Sequence, residues 1–316
     1  WLAGMPAIVK PATLTSFVTE VVVKDIIASG ILPEGALQLI CGSARTILDH
    51  VNYQDVVTFT GSASTGIKLK SNPNIIREAV PFNMEADSLN SIILGQDAAP
   101  GTPEFDLFAK EVRKEMTVKC GQKCTAVRRI IVPADYMEDV QIAIGKSLTG
   151  LAIGDPRTEG VRMGALAGQE QVKEVKDKLG ELLSFSQLVY GDLESFEVTH
   201  GSKEKGAYMA PILLRNDRPF VQTGTHEIEA FGPVSTMMPY QDMDEAIELA
   251  RKGKGSLCSS IVTFDDKIAR EYVVNAATHH GRILVLNRES AKESTGHGSR
   301  SEEHTSEIQS LTNLVC

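Results

Sequence analysis

Two cysteines, Cys120 and Cys124, lie four positions apart in the run VKCGQKCTAVRR. On a helix this spacing places both on one face, which would suit half of a metal site, a redox pair, part of a packed core, or one nucleophile beside an inert neighbour. A zinc site needs two further ligands, and the sequence near the run supplies no such His or Cys pair. A catalytic thiol needs a nearby cation or dipole, and Lys119, Lys123 and Arg128 supply charge. Taken alone, the run leaves an inert buried cysteine as the commoner reading.

A second run, GSASTGIK at residues 61–68, is a candidate for binding phosphate. It has the glycine spacing of a P-loop but carries Ile67 where the lysine should be, so an NTPase is not expected. The preceding strand, VVTFTGS, leads into the start of a helix, whose free N–H groups and Ser62 hydroxyl could hold a pyrophosphate. An ordinary Gly-Ser turn is the alternative.

The composition narrows the functional classes. The chain has 316 residues, 42% hydrophobic, a formal net charge of −9 and five cysteines. That length allows two domains or one large one. Basic residues are scattered among acidic ones, which gives nucleic-acid binding little support, and no apolar run approaches the roughly 20 residues that cross a bilayer. Five widely spread cysteines fit a reducing compartment, so we expect a cytoplasmic protein with no structural metal.

Strands and amphipathic helices alternate along the chain, which predicts an α/β fold with parallel sheets and a domain boundary near residues 86–90. The first region is predicted to contain the strands PAIVK, GALQLICG, DVVTFTG and PFNMEA and the helices LTSFVTEVVVKDIIASG and SARTILDHV. The second is predicted to contain the strands SIILG, RRIIVP, VSTMMPY, CSSIVTF and GRILVLN and the helices EFDLFAKEVRKEMTVKC, DYMEDVQIAIGKSLTGL, QEQVKEVKDKLGELLS and DMDEAIELARKG.

The two ends of the chain differ from the rest. The sequence starts at Trp1 inside what reads as the end of a helix, so we expect the true N-terminus to be missing. The final run, RSEEHTSEIQSLTNLVC, loses the apolar periodicity, and we expect residues 300–316, including Cys316, to be a non-native tail.

Eight short runs occur in the order and approximate spacing of the aldehyde dehydrogenase superfamily: KPAT, FTGS, NMEADSLN, GQKCTA, GDP, MAPILL, EAFGPV and GRILVLN. Over residues 1 to about 299 the chain resembles this superfamily. Through MEADSLN, GQKCTAVRRIIVP, EAFGPV and AKESTGHGS it resembles in particular the aldehyde dehydrogenase domain of the bifunctional ring-opening proteins of bacterial phenylacetate degradation. The resemblance implies an α/β fold of two doubly wound Rossmann-type domains: a partial NADP-binding domain at 1–88 and a catalytic thiol domain at 89–299.

The resemblance also separates the two cysteines. The family nucleophile follows Gly-Gln-x, which makes Cys124 the reactive thiol and leaves Cys120 as a packing residue. The thiolate would add to an aldehyde to give a thiohemiacetal and then a thioester. The general base that activates water for hydrolysis corresponds to Glu85. Its presence argues against the branch in which coenzyme A accepts the acyl group, so the product should be a free acid.

Cofactor contacts carry over in the same way. The resemblance assigns Lys10 to the adenosine ribose, Gly61 and Ser62 to the pyrophosphate, and Glu229 and Phe231 to the nicotinamide ribose and ring. Each also has a plain reading as a turn or core residue.

One position bears on the choice of cofactor. Members of the family that prefer NAD commonly carry a glutamate three residues after the lysine, where its charge repels a 2′-phosphate, and here the residue is Thr13. We therefore expect NADP as the cofactor, with NAD possible. The family's ELGG run is EADS here, and Glu85 and Cys124 are 124 − 85 = 39 positions apart, a few more than in most members. Both departures are features of the phenylacetate subgroup.

These observations predict an NADP-dependent aldehyde dehydrogenase that oxidises a semialdehyde, and we expect a CoA-linked one from aromatic ring degradation. The semialdehyde dehydrogenase of the benzoyl-CoA epoxide route is an alternative within the family. The asparagine that completes the family's oxyanion hole would lie upstream of Trp1, so a non-catalytic remnant that at most binds a nucleotide is a second alternative, and a cofactor-free thiol hydrolase is a third. The parent enzyme is expected to be a homo-oligomer.

Overall fold

The computed structural model describes residues 1–294 and 296–298. The chain separates into two compact units, one spanning Trp1–Asp87 and a second that begins at Ser88. The predicted non-native tail at 300–316 lies outside the described residues. Within the part of the chain that the structure describes, no helix is long and apolar enough to cross a membrane.

The first unit contains two separate parallel strand pairs, β1 with β2 and β3 with β4. Its strands are β1 (Ala7–Val9), β2 (Leu37–Leu39), β3 (Val57–Gly61) and β4 (Phe82–Ala86), and its helices are α1 (Ser16–Ala28), α2 (Ala63–Lys70) and α3 (Pro73–Arg77). The sequence predicted these strands and α1.

The predicted helix SARTILDHV is wrong, since only a short 3-10 turn forms there, at Ile47–Asp49. Arg45 has a left-handed φ of 44°, which interrupts a right-handed helix. The side-chain amide of Asn74 donates hydrogen bonds to the carbonyl oxygens of Leu48 and Val51, at 2.9 and 2.7 Å. These carbonyls are thereby used by a distant side chain instead of a helical backbone.

The second unit is built on a seven-stranded sheet with the strand order β11-β10-β5-β6-β9-β8-β7. Its strands are β5 (Ser91–Leu94), β6 (Arg129–Pro133), β7 (Gln187–Tyr190), β8 (Ile212–Arg215), β9 (Val234–Tyr240), β10 (Ser256–Val262) and β11 (His280–Leu286). Its helices are α4 (Pro103–Thr117), α5 (Met137–Leu148), α6 (Gln169–Leu182), α7 (Met243–Arg251) and α8 (Asp266–Ala276). All neighbouring strands are parallel except β7, which runs antiparallel to β8.

The central strands β5 and β6 are buried along their whole length, which explains why their sequences are nearly continuous apolar runs. Helices α4 and α5 pack on one face through Phe108 and Ile144, among others, and α7 and α8 supply Leu249 and Tyr272 to a separate core cluster. The α/β prediction is therefore confirmed. The sequence did not identify β7, β8 or α8.

The end of α4 differs from the prediction. We predicted a helix through Cys120, but α4 ends at Thr117, and the next turn places Lys119 and Cys120 at a left-handed φ of 53°. Left-handed backbone is unfavourable for residues with a side chain, so surrounding contacts must hold this turn in place. Consequently the two cysteines do not share a helix face.

Candidate active site

Gly121 sits at the centre of the turn that leads to Cys124. Its φ is 68°, and a Cβ added to it would lie 2.2 Å from the carbonyl oxygen of Gly232. Only glycine fits both the backbone conformation and this close approach. Next to it, the Gln122 side chain accepts a hydrogen bond from the Ala167 N–H at 2.8 Å. The GQKC run is thus fixed by two distant loops.

The two cysteines occupy opposite environments. Cys120 is fully buried in a cluster with Val175 and Leu179, and burial raises the pKa of its thiol to about 12. Cys124 is exposed. A buried thiol that does not ionise is a packing residue, whereas an exposed thiol can meet a substrate.

The peptide plane before Cys124 is oriented by its carbonyl. The Lys123 carbonyl oxygen accepts the Ala126 N–H at 3.1 Å and so points into the turn. In a trans peptide the N–H points the opposite way, which directs the Cys124 N–H out of the turn. Among residues 1–294 and 296–298 this N–H has no hydrogen-bond acceptor. An exposed thiol and a free backbone donor therefore lie on the same residue.

Asn90 anchors the turn from below. Its fully buried side-chain amide donates to the carbonyl oxygens of Cys124 and Ala126 at 2.8 and 3.0 Å. Its Oδ1 accepts from the Ser88 hydroxyl at 2.7 Å and from the Cys258 N–H at 3.0 Å. All the hydrogen-bonding capacity of this buried amide is thus used to fix the backbone on both sides of the candidate nucleophile.

A buried ion pair lies beside the turn. Arg128 Nε donates to Glu229 Oε1 at 3.0 Å, and the two side chains are only 4% and 6% exposed. The other carboxylate oxygen of Glu229 accepts the Ser88 N–H at 3.0 Å. The guanidinium also stacks over the Phe231 ring at 5.4 Å. Glu229 and Phe231 are therefore tied to the segment that carries Cys124.

The segment GHG, 296–298, packs against the other side of the turn. His297 is buried, with Nε2 3.1 Å from the Cys258 sulfur and Nδ1 2.6 Å from the Ser260 hydroxyl. Cys258 Sγ in turn lies 3.5 Å from the Thr125 carbonyl oxygen. Burial lowers the pKa of His297 to about 3 and raises that of Cys258 to about 12, so both groups are neutral at physiological pH. They form a structural support and not an ionised dyad.

The first unit holds the remaining predicted residues. Glu85 is exposed on β4, directly opposite Thr60 of β3. Ser62 caps α2, since its hydroxyl accepts the Thr65 N–H at 3.4 Å. The neighbouring Ala63 N–H is taken by the Asp87 carboxylate at 3.0 Å.

Two further predicted residues in this unit follow β1. Lys10 and Thr13 are both exposed, and Thr13 opens the 3-10 turn that leads into α1. Gly61 and Glu85 therefore lie on the strand pair β3–β4, and Ser62 directly follows β3. Lys10 and Thr13 follow β1, which belongs to the other strand pair. In the second unit the structure brings Cys124 together with Glu229 and Phe231.

Comparison with known proteins decides the family. The sequence profile of the aldehyde dehydrogenase family matches residues 1–298. The chain belongs to the aldehyde dehydrogenase family. It is 44% identical over 298 residues to a 3,4-dehydroadipyl-CoA semialdehyde dehydrogenase of Aromatoleum evansii, with 94% of this chain and 58% of that relative aligned. It is also 41% identical over 138 residues to Protein MaoC of Klebsiella aerogenes, which covers 43% of this chain and 39% of that protein.

Solved aldehyde dehydrogenase structures show the same fold. A betaine aldehyde dehydrogenase of Staphylococcus aureus in complex with NAD⁺ superposes with a TM-score of 0.76 at 20% identity, over 89% of this chain and 54% of that one. An NADP-dependent glyceraldehyde-3-phosphate dehydrogenase of Bacillus halodurans, complexed with NADP, gives 0.71 at 22% identity, over 90% and 55%. This aldehyde dehydrogenase chain therefore spans little more than half the length of these relatives.

Sequence reasoning missed Asn90 and the role of Arg128. Asn90 lies in the run NMEADSLN, of which only Glu85 is assigned a role from the sequence. A polar residue directly before the apolar strand SIIL is the feature that could have indicated Asn90. Arg128 was noted only as a nearby charge. Its signal was a pair of arginines entering a buried strand, because arginine is rarely buried unless it is paired.

Proposed function

We propose that this chain carries the catalytic thiol of an NADP-dependent aldehyde dehydrogenase that oxidises a CoA-linked semialdehyde to the carboxylic acid. The observation that carries the proposal is the exposed Cys124 thiol, whose own N–H points away from a turn held by buried contacts. Family membership and the CoA semialdehyde named for the Aromatoleum relative support the reaction class and the substrate.

The first step uses residues of the second unit. The Cys124 thiolate adds to the aldehyde carbonyl and forms a thiohemiacetal, and the Cys124 N–H donates to the developing oxyanion. Asn90 holds the Cys124 carbonyl inward, so the thiol and its N–H need no rearrangement for this step. Preorganised donors of this kind are worth about 3–4 kcal/mol each in comparable sites.

The residues present fit a nicotinamide dinucleotide. Lys10 offers an exposed ammonium, and Ser62 offers a hydroxyl at the start of α2, where the helix dipole favours an anion. Asp87 already accepts one N–H at that helix end, which leaves fewer backbone donors there. By the family likeness we assign Glu229, whose carboxylate is held by Arg128 and by the Ser88 N–H, to the nicotinamide ribose. When bound, the cofactor supplies the hydride acceptor that converts the thiohemiacetal to a thioester.

Hydrolysis of the thioester requires a base, and we assign this role to Glu85. It is an exposed carboxylate on β4, free to take a proton from water. We assign NADP over NAD because Thr13 presents no carboxylate where a 2′-phosphate would need to be accepted. By the same family likeness we expect a cytoplasmic homo-oligomer as the intact enzyme.

The test is NADPH formation at 340 nm from a CoA-linked semialdehyde and from a medium-chain aldehyde. We expect turnover by the chain to disappear in Cys124→Ala and to persist in Cys120→Ala, the matched control, because Cys120 is buried.

Glu85→Gln should release one burst of NADPH and then stall at the thioester. Thr13→Glu should lower the ratio of catalytic efficiencies for NADP and NAD.

Two results would contradict the proposal. Undiminished turnover in Cys124→Ala would remove the assigned nucleophile. A folded sample that binds nucleotide but forms no NADPH would favour the reading that this chain is a non-catalytic part of a longer enzyme, in line with its coverage of 58% of the Aromatoleum relative.

A further inference from the structure

The Arg128 guanidinium contacts three separate parts of the site at once. Nε donates to the Glu229 carboxylate at 3.0 Å, Nη1 to the Gly232 carbonyl oxygen at 2.7 Å, and Nη2 to the Gly121 carbonyl oxygen at 2.8 Å. Gly121 and Gly232 are also the two glycines whose backbones approach most closely around the turn. A rigid planar fork of donors suits this bridging geometry, and a lysine could not make all three contacts.

The same guanidinium also lies close to the candidate nucleophile. Nη2 is 3.5 Å from the Lys123 carbonyl oxygen, which belongs to the peptide that ends at Cys124. Burial lowers the pKa of Arg128, while Glu229 and, more weakly, Glu115 and Cys124 raise it. Since arginine keeps its proton in proteins, a permanent positive charge lies next to the peptide that joins Lys123 to Cys124.

The other charged groups near the turn are paired, screened or neutral. Lys123 is paired with the buried Glu115 at 2.7 Å, just as Arg128 is paired with Glu229 at 3.0 Å. Lys119 is exposed, where water screens its charge. Cys258 and His297, on the opposite side, are neutral at physiological pH. The Arg128–Glu229 pair is therefore balanced as it stands, and removal of either partner leaves the charge of the other uncompensated beside the turn.

We propose that Arg128 is a positioning residue that holds the Glu229 carboxylate and the Cys124 turn in one arrangement and balances the Glu229 charge next to that turn. The inference deepens the proposed dehydrogenase function and rests on it for the role of Glu229. The thiol chemistry that it predicts does not require substrate or cofactor, so the two can fail independently.

The experiment measures the rate at which iodoacetamide alkylates Cys124 at pH 7 in the full chain, followed by peptide mass spectrometry. Arg128→Gln should slow alkylation about 3- to 10-fold because the thiolate loses a nearby cation. Glu229→Gln should speed it, because Arg128 then acts without its counter-ion. Arg128→Lys retains the charge but cannot make all three hydrogen bonds, so its alkylation rate should remain within about twofold of the wild type while its kcat falls.

A purely structural role predicts a different pattern. A loosened turn would expose the thiol and speed alkylation in every variant, so slowing in Arg128→Gln and speeding in Glu229→Gln separate charge from disorder. Arg129→Gln is the matched control: Arg129 is also buried and donates to the carbonyls of Leu89, Leu249 and Ala250, away from Glu229. Its loss should not slow alkylation of Cys124.

The inference is overturned when Arg128→Gln, folded by circular dichroism, reacts at the wild-type rate or faster. Where Arg128→Gln does not fold, Glu229→Gln decides, since a rate equal to or below that of the wild type would equally overturn it. Charge-dependent alkylation without NADPH formation in the wild type would support the inference and contradict the proposed function. NADPH formation by the wild type, together with alkylation rates that do not depend on charge, would support the proposed function and contradict the inference.

Discussion

At the scale of single residues, the backbone of the candidate nucleophile Cys124 is held by a buried amide, that of Asn90. Asn90 uses its amide to hold the carbonyls of Cys124 and Ala126, and its own backbone oxygen accepts the N–H groups of Arg128 and Arg129 at 3.0 Å. A group that is fully buried and fully hydrogen-bonded has one low-energy arrangement, because any rotation leaves a donor or acceptor without a partner. The loop thereby acquires a fixed geometry without a covalent constraint.

Asn90→Asp preserves shape but turns two donors into acceptors that face carbonyl oxygens. We expect a loss of about 2–4 kcal/mol in the free energy of unfolding and a fall in kcat of at least about 10-fold. Urea unfolding and steady-state NADPH formation measure the two effects. Asn216→Asp is the control, since Asn216 is also buried and its amide donates to Gln222 and Thr225. It should lose stability but keep its kcat; equal losses of kcat would contradict a specific role for Asn90.

At the scale of elements, the turn between α4 and β6 decides which cysteine is presented. Helix α4 stops at Thr117, three left-handed residues follow at 119–121, and the chain then emerges with Cys120 inside and Cys124 outside. A continuous helix would have placed both on one face. Gly121 lies close to the carbonyl of Gly232, and Arg128 donates to the carbonyl oxygens of both glycines, which holds this unfavourable turn in place.

Gly121→Ala tests that contact. The added methyl would meet a backbone oxygen at 2.2 Å in a left-handed conformation, so the turn must move. We expect kcat to fall about 100-fold, as displacements near 1 Å do in catalytic sites. Gly101→Ala is the control, because its φ is 91° but nothing lies within 4 Å of the added Cβ. It should cost about 1–2 kcal/mol of stability and leave kcat unchanged. An active Gly121→Ala enzyme would show that the close approach is not required.

At the scale of the whole molecule, burial of histidines couples stability to pH. Burial, reinforced by Arg129, lowers the pKa of both His226 and His280 to about 4, and burial lowers that of His297 to about 3. In the unfolded chain these groups titrate near 6.5, so between about pH 6.5 and 4 the unfolded state binds more protons than the folded state. Their contribution to stability is therefore complete above pH 6.5 and is lost as the pH falls.

We expect the free energy of unfolding to decline from pH 7 to pH 5, by at most about 1.4 kcal/mol per pH unit for each histidine. Urea unfolding at several pH values measures the slope. His226→Gln should be less stable at pH 7. Its free energy of unfolding should change less steeply with pH, by the amount that corresponds to at most one proton taken up on unfolding. An unchanged slope in this variant would mean that His226 does not take up a proton on unfolding.

Sequence alone determined the elements whose pattern is local. The buried central strands are recognisable as apolar runs because both of their faces are covered. The amphipathic helices α4 to α7 follow a period of 3.6 residues because only one face of each is buried. The short edge strand β7 is half exposed and carries no such signal, whereas β8 contains the short apolar run ILL at 212–214; neither is predicted as a strand from the sequence. Likewise, eight spaced runs identified the family and, through it, singled out Cys124 as the expected nucleophile.

Tertiary structure decided what no local pattern records. The turn after α4 is tied to Gly232 through Arg128, the Cys124 backbone is anchored by Asn90, and Arg128 is buried against Glu229, and in each case the partner lies far along the chain. Residue types can show that a buried arginine or asparagine needs partners, but not which carbonyl or carboxylate will meet it. That choice depends on how strands stack into a sheet, because only the assembled sheet brings these loops to one edge.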